Sequence, residues 1–180
     1  MVSRVFKPLA LTMALVAGGS LQVLALAADN EGDGSRRIDV GFSPEGSAQK
    51  LVLRTIDAAT SSIRVAAYVF TSPDVTRALV AADHRSNLEE ARSTAGRHAL
   101  TLLAKAGIPT RTVKSYPIHH DKFMVVDGMA VETGSFNFTA AAKSNSENAL
   151  VVWNDPALAE TYLSHWQSRW DQGQAFKVKY

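Results

Sequence analysis

The chain contains no cysteine among its 180 residues. Disulfide bridges, cysteine-ligated zinc sites and thiol nucleophiles are therefore excluded. An excess of charge of one sign is also lacking, because 19 Lys and Arg residues face 17 Asp and Glu residues. A uniformly basic surface, which alone would indicate a nucleic-acid-binding protein, is thus not expected. Any affinity for a polyanion has to come from local clusters of positive side chains.

The composition is that of an ordinary globular protein. Hydrophobic residues make up 46% of the chain and charged residues 20%, so disordered and low-complexity classes are excluded. A chain of this length predicts one domain that is large enough to bury a core. We expect this domain to span residues 38–180, preceded by a flexible lead-in over residues 28–37.

The first 27 residues have the pattern of a signal peptide. Two basic residues, Arg4 and Lys7, precede an uncharged apolar stretch over residues 9–26, which ends in the small-residue pattern Ala25-Leu26-Ala27. This order of segments predicts export, and hence a secreted or periplasmic protein. A membrane anchor is the alternative, because the apolar stretch is about long enough to span a bilayer. Polar and glycine residues within the stretch favour the signal peptide.

Hydrophobic periodicity predicts alternating strands and helices. The predicted strands are 38–42, 63–70, 110–114, 122–126, 130–133 and 149–153, and the predicted helices are 46–60, 73–82, 98–106, 137–143 and 156–170. Such alternation indicates an α/β fold with a mixed sheet flanked by helices. Residues 81–95 contain no β-branched run, and residues 88–94 favour a helix. The pattern therefore leaves open that the sheet lacks one internal strand there.

The residues of greatest chemical interest lie around the predicted strand 122–126. His120 and Lys122 are two positions apart, so on a strand their side chains share one face, while Phe123 and Val125 point to an apolar core on the other. A hairpin turn at 127–128 then returns the chain, which predicts that residues 134–137 lie beside His120.

This set of side chains suits the binding of a phosphate and an attack on it. Lys122 supplies a point charge to phosphoryl oxygens, and a neutral imidazole of His120 is a nucleophile near neutral pH. Gly134 allows a close approach of the backbone, while Ser135 and Asn137 add neutral donors near a predicted helix start. No second carboxylate has metal-ligand spacing here, so neither a metal nor another cofactor is expected.

The motif His120-x-Lys122-x4-Asp127-x6-Gly134-Ser135-x-Asn137 resembles the signature of the phospholipase D superfamily. The resemblance extends from about residue 37 to the C-terminus. It is greatest with the small secreted bacterial endonucleases of that superfamily, on the segments 134–139, 145–149 and 165–170. A mixed α/β sandwich and phosphodiesterase activity are what this resemblance implies.

The resemblance also implies roles for individual residues. His120 would be the nucleophile of a two-step, metal-independent reaction through a phosphohistidine. Lys122 and Asn137 would hold the phosphoryl oxygens, supported by Ser135, and Glu147 would hydrogen-bond the second ring nitrogen of His120. The signature residue Asp127 lies at the hairpin turn, and both a catalytic and a structural role are open for it.

The chain carries a single copy of the motif, although the reaction needs both a nucleophile and a general acid. A two-fold homodimer would supply the second group by bringing His120 from each subunit to one phosphate. Three functions remain open on these grounds. The leading hypothesis is a non-specific endonuclease that cleaves DNA or RNA. The alternatives are a phospholipase D acting on phosphatidylcholine-type lipids and an inactive relative that binds nucleic acid.

Overall fold

The structure is a computed structural model that describes residues 34–84, 90–94 and 100–178, with residues 90–94 described for their backbone. The predicted signal peptide, residues 1–27, and residues 28–33 of the predicted lead-in lie outside this part of the chain. Within the described residues, no helix has the length and apolar character needed to cross a membrane.

The described residues form strands and helices in the alternating order predicted from the sequence. The strands are β1 (Arg37–Ser43), β2 (Ser62–Ala67), β3 (Glu90–Thr94), β4 (Thr110–Thr112), β5 (Lys122–Val126), β6 (Ala130–Gly134), β7 (Glu147–Trp153) and β8 (Gln174–Ala175). The helices are α1 (Ser47–Asp57), α2 (Pro73–His84), α3 (Leu100–Lys105) and α4 (Pro156–Gln172).

One sheet of eight strands, in the order β1-β7-β6-β5-β2-β3-β4-β8, organises the fold. The strands β2, β3 and β4 pair in parallel, and the remaining neighbours pair antiparallel. Buried residues of α1, α2 and α3 form a core on one face, while α4 packs on the other. The predicted mixed sheet flanked by helices is therefore confirmed.

The possibility that the sheet lacks an internal strand is wrong. A strand, β3, lies between β2 and β4, with a register from Ser62 opposite Glu90 to Ala66 opposite Thr94. The helix that the local sequence favours over residues 88–94 is accordingly wrong over residues 90–94, and its first two residues lie outside the described part of the chain. Strand preference depends on neighbours more than helix preference does, and the backbone groups of β2 and β4 need a partner strand at this position.

The strand β5 is buried on both faces. Phe123 and Val125 pack beneath α4 against Trp166, whereas Met124 and Val126 belong to the core on the opposite side. The expected division of this strand into an apolar face and a polar site face is therefore wrong. Polar chemistry is confined to the N-terminal end of β5.

The predicted helix over residues 137–143 shortens to a 3₁₀ turn at Ala141–Ser144. The backbone N–H of Thr139 donates to the carbonyl of Asn137 at 2.7 Å, and its hydroxyl accepts from the N–H of Ala142 at 3.2 Å. These local bonds satisfy the backbone without an α-helix. No helix therefore begins at Asn137 to form the anion site expected there.

A buried carboxyl group in β6 makes the stability of the fold sensitive to pH. Glu132 is 1% exposed, its Oε2 has no hydrogen-bond partner in the described part of the chain, and burial raises its pKa to about 8. An unfolded glutamate releases its proton near pH 4.3. Between these values the folded state binds the extra proton, so stability falls as the pH rises.

We therefore expect the free energy of unfolding to fall by on the order of 3–5 kcal/mol between about pH 4.5 and pH 8 through Glu132 alone. Glu132→Gln, which is neutral throughout, should remove most of this fall. Urea unfolding of both proteins at pH 5 and pH 8 measures the difference. Equal pH dependence in the two proteins would show that Glu132 is not held neutral in the fold.

Candidate active site

His120 and Lys122 lie together where the chain enters β5. Lys122 Nζ is 3.2 Å from Nδ1 of His120 and 3.5 Å from its Nε2, and it donates to the carbonyl oxygen of His120 at 3.0 Å. Only Lys122 belongs to the strand, whereas His120 lies in the preceding loop. The ammonium group can donate to a ring nitrogen that carries no proton, so the pair combines a neutral base with a fixed positive charge.

Tyr68 is a part of the site that the sequence analysis missed. Its ring centroid lies 4.4 Å from that of His120, with the planes tilted by 48°, and 5.2 Å from Lys122 Nζ. It directly follows β2, which pairs with β5 through Ala67 opposite Lys122. Strand pairing across 55 positions of sequence brings this ring to the site, so no local pattern could reveal it.

A cavity of about 410 Å³ opens beside the two residues, between the sheet and α4. The lining residues come from the entry to β5, from the end of β6 and from one face of α4: His120, Asp121, Lys122, Phe123, Thr133, Gly134, Thr161, Tyr162 and His165. Residues 134–137 were predicted to lie beside His120, and of these Gly134 lines the cavity together with His120. The α4 residues had no predicted role.

Three other predicted site residues are not among those that line this cavity: Ser135, Asn137 and Glu147. They form hydrogen bonds in the segments that follow β6 and begin β7 instead. Ser135 Oγ accepts from the N–H of Asn148 at 3.0 Å and donates to its Oδ1 at 3.1 Å. Asn137 donates its backbone N–H to Glu147 Oε2 at 2.9 Å. The side-chain Oδ1 of Asn137 is buried and has no partner among the described residues.

The expected hydrogen bond from Glu147 to His120 is not observed in this chain. Glu147 instead accepts from the backbone of Asn137 through Oε2, and from Asn145 Nδ2 at 2.7 Å through Oε1. Its charge nevertheless acts on the site: burial lowers the pKa of Lys122, and the nearby Glu147 and Asp121 carboxylates oppose that effect. Glu147 thus supports the charged state of Lys122 and orders the segment that carries Asn137.

Gly134 is required by the packing of strands. A Cβ atom at this position would lie 2.2 Å from the carbonyl oxygen of Asn148, far inside van der Waals contact. The sequence predicts that this glycine lets the backbone come close to a bound group. The structure places the backbone of β7 against it instead, where it pairs opposite Ala149.

Asp127 lies away from the cavity, in the turn between β5 and β6, with φ at 54°. Its Oδ2 accepts from the N–H and hydroxyl of Thr60 at 2.9 and 2.8 Å. Its Oδ1 accepts from the N–H and hydroxyl of Ser61 at 2.8 and 2.9 Å, and from the N–H of Ser62 at 2.8 Å. Five donors from the start of β2 therefore occupy the carboxylate, which is a structural arrangement.

Within the described residues, no group of three or more His, Asp or Glu side chains is arranged to hold one metal ion. The side chains that can act on a substrate at the cavity are the imidazole of His120 and the ammonium of Lys122. Together they can bind an anionic group and attack it, which is the chemistry of phosphoryl transfer through a covalent intermediate.

Comparisons with known proteins agree with this chemistry. Residues 52–170 match a family model described as cardiolipin synthase, PLD-like domain. A phospholipase D of Rickettsia conorii is 35% identical over 144 residues, which cover 74% of this chain and 69% of that protein. A mouse mitochondrial cardiolipin hydrolase is 28% identical over 141 residues, covering 76% of this chain and 63% of the relative.

A solved structure extends the likeness to the fold. The crystal structure of a phospholipase D family member, Nuc from Salmonella typhimurium, is 49% identical and superposes with a TM-score of 0.74, covering 80% of this chain and 100% of Nuc. Fold and site thus define a phosphodiesterase hydrolase. The chain belongs to the phospholipase D family.

Proposed function

We propose that the protein is an exported, metal-independent endonuclease that cleaves DNA or RNA through a phosphohistidine. The observation that carries the proposal is the contact of Lys122 Nζ with the ring of His120, 3.2 Å from Nδ1, at the mouth of an open cavity. This contact holds a positive charge where the non-bridging oxygens of a bound phosphodiester need it. When a phosphodiester binds, the ammonium moves its hydrogen bond from the ring to a phosphoryl oxygen, and the unprotonated ring nitrogen can then attack phosphorus.

The reaction proceeds in two displacements. An unprotonated nitrogen of His120 attacks phosphorus, so that a P–N bond forms while the P–O bond to the leaving group breaks. The departing oxygen takes a proton from a protonated imidazole, supplied by His120 of the partner subunit. That imidazole, now neutral, removes a proton from water, which attacks phosphorus and releases His120.

An exposed aromatic side chain beside His120 favours a nucleic acid as the substrate. Tyr68 is 37% exposed, and its ring contacts that of His120 directly. Bases of a single strand stack on such rings without sequence preference, at about 1–3 kcal/mol for each base. The sequence segments that resemble secreted bacterial endonucleases point to the same substrate.

A phospholipase D activity is the second candidate. It is favoured by Ile118, which lies two residues before His120 and is 60% exposed, as an apolar contact for an acyl chain. Relatives named phospholipase D and cardiolipin hydrolase add to this reading. A binding protein without turnover is the third candidate.

One assay separates the three. The purified protein is incubated in EDTA with plasmid DNA, with single-stranded RNA and with phosphatidylcholine vesicles. We expect cleavage of a nucleic acid despite chelation. Choline release without nucleic-acid cleavage would identify a phospholipase instead, and binding of DNA without any turnover would identify an inactive relative. Cleavage that EDTA abolishes would overturn the metal-independent mechanism.

An exposed apolar stripe on β1 supports the proposed homodimer. Ile38, Val40 and Phe42 are 55%, 51% and 54% exposed, and they alternate along one face of a strand at the edge of the sheet. Phe42, at one end of the stripe, pairs with Asn148 of β7. Contiguous apolar side chains on an edge strand mark an interaction surface, and we propose a second copy of the chain as its partner, because the single motif needs a second imidazole.

Val40→Glu should therefore convert the protein to a monomer and lower its phosphodiesterase activity at least about tenfold, because each phosphate needs both imidazoles. Light scattering and the plasmid assay measure the two effects. Leu102→Glu is the matched control, since Leu102 is 56% exposed on α3. A monomeric wild type with full activity would contradict the shared site.

A further inference from the structure

The loop that carries His120 is held by α4. Residues 113–121 form neither a strand nor a helix, and two side chains of α4 contact this loop. Arg169 places its guanidinium 4.7 Å from the ring centroid of Tyr116, and His165 Nε2 donates to Asp121 Oδ2 at 3.0 Å. Because they are four positions apart, His165 and Arg169 project from the same face of the helix.

The contact at Asp121 involves a second imidazole. His119 Nδ1 lies 3.4 Å from the same Oδ2 atom, and the His119 side chain is 10% exposed whereas that of His165 is 40% exposed. Burial lowers the pKa of His119, so near neutral pH this ring interacts with Asp121 without a charge. His165 makes the shorter of the two contacts with Asp121, at 3.0 Å against 3.4 Å.

Asp121 also has an electrostatic effect on the cavity that it lines. A carboxylate next to His120 repels an anionic phosphodiester unless positive charge offsets it. Lys122 lies on one side of it and His165 on the other, while Arg169 acts on His119. Pairing with His165 therefore fixes the position of Asp121 and reduces its repulsion of the substrate.

We propose that Asp121 and His165 are positioning residues, which clamp the loop to α4 so that the adjacent imidazole of His120 faces the phosphate. This inference rests on the proposed function, because it concerns the orientation of the same nucleophile. Asp121 and His165 make no covalent bond to the substrate. The hydrogen bond from His165 Nε2 to Asp121 Oδ2 is the contact that closes the clamp.

Steady-state kinetics of Asp121→Asn, His165→Gln and His165→Ala against a DNA substrate tests the clamp. We expect Asp121→Asn to lower kcat at least tenfold with less than a threefold change in KM. His165→Gln still donates to Asp121, so it should retain several times the kcat of His165→Ala.

The control is Gln167→Ala, because Gln167 lies on the same helix and bonds to Asp171 at 2.7 Å away from the cavity. A wild-type kcat in Asp121→Asn, or an equal loss of kcat in both His165 variants, would overturn the clamp. The ¹⁵N shifts of the His120 ring give a readout independent of turnover. If the wild type cleaves no phosphodiester, the proposed function fails, and these shifts then test the clamp by themselves: shifts that Asp121→Asn leaves unmoved would overturn it.

Discussion

His120→Ala should reduce phosphodiesterase turnover to below about 0.1% of the wild-type rate while the protein stays folded and dimeric. Among the described residues around the cavity, the other two imidazoles, His165 and His119, are both directed to Asp121 and are not placed to replace the lost nucleophile. A loss of this size is typical of the removal of a covalent nucleophile, whereas a residue that only binds substrate costs far less. Initial rates on plasmid DNA in EDTA provide the measurement.

The intermediate itself gives a second, independent readout. Rapid acid-free quenching of the wild-type reaction, followed by nuclease trimming of the DNA and peptide mass spectrometry, should find a nucleotidyl group joined through phosphorus to the peptide that contains His120, and none in the variant. His84→Ala is the matched control, because His84 is exposed at the end of α2. Residual turnover of a few per cent in His120→Ala, or a nucleotidyl group on another peptide, would remove His120 from the role of nucleophile.

Local sequence signals predicted the parts of the fold that depend on local interactions. The spacing of apolar residues located α1, α2 and α4, and the Asp127-Gly128 pair located the turn between β5 and β6. The strand β3 was missed because its formation depends on the vacant edges of β2 and β4 rather than on its own side chains. β8 was missed for the same reason, since two residues pairing with β4 leave no periodic signal.

The site shows the same division between local and long-range determinants. His120 and Lys122 are two positions apart, so their proximity follows from the backbone alone, and the structure places them in contact. The partners of Tyr68 and His165 lie 52 and 44 positions away, and only the assembled sheet and α4 bring them together. The expected partner of Glu147 was wrong because the turn at Asn137 offers a backbone donor closer to its carboxylate.

Asp127→Ala should lower the free energy of unfolding by roughly 2–4 kcal/mol, the cost of leaving several charge-assisted hydrogen bonds without their acceptor, reduced by access of water. Asp127→Asn should lower the free energy of unfolding nearly as much, because the NH₂ group of the amide carries two donors and would face N–H and O–H groups that also donate. Urea unfolding at pH 7 measures both. Asp171→Asn on the exposed side of α4 is the control, since its carboxylate accepts only from Gln167 among the described residues.

The pH dependence of the same effect identifies the charge as its source. Burial tends to raise the pKa of Asp127, but the hydrogen bonds from Ser62, Ser61 and Thr60 outweigh it and lower the pKa. The stabilisation is therefore complete above the unfolded pKa of about 3.9 and is lost as the pH falls through the lower folded value. The difference between wild type and Asp127→Ala should accordingly shrink below about pH 4.

Activity then separates a structural from a catalytic role for this signature residue. Because Asp127 ties the β5–β6 turn to the start of β2, at the opposite end of β5 from His120, its loss should reduce the folded fraction and leave the folded molecules active. Turnover per folded protein in Asp127→Ala should stay within about threefold of wild type, far from the thousandfold loss typical of catalytic groups. A collapse of turnover in fully folded protein would instead place Asp127 in the reaction.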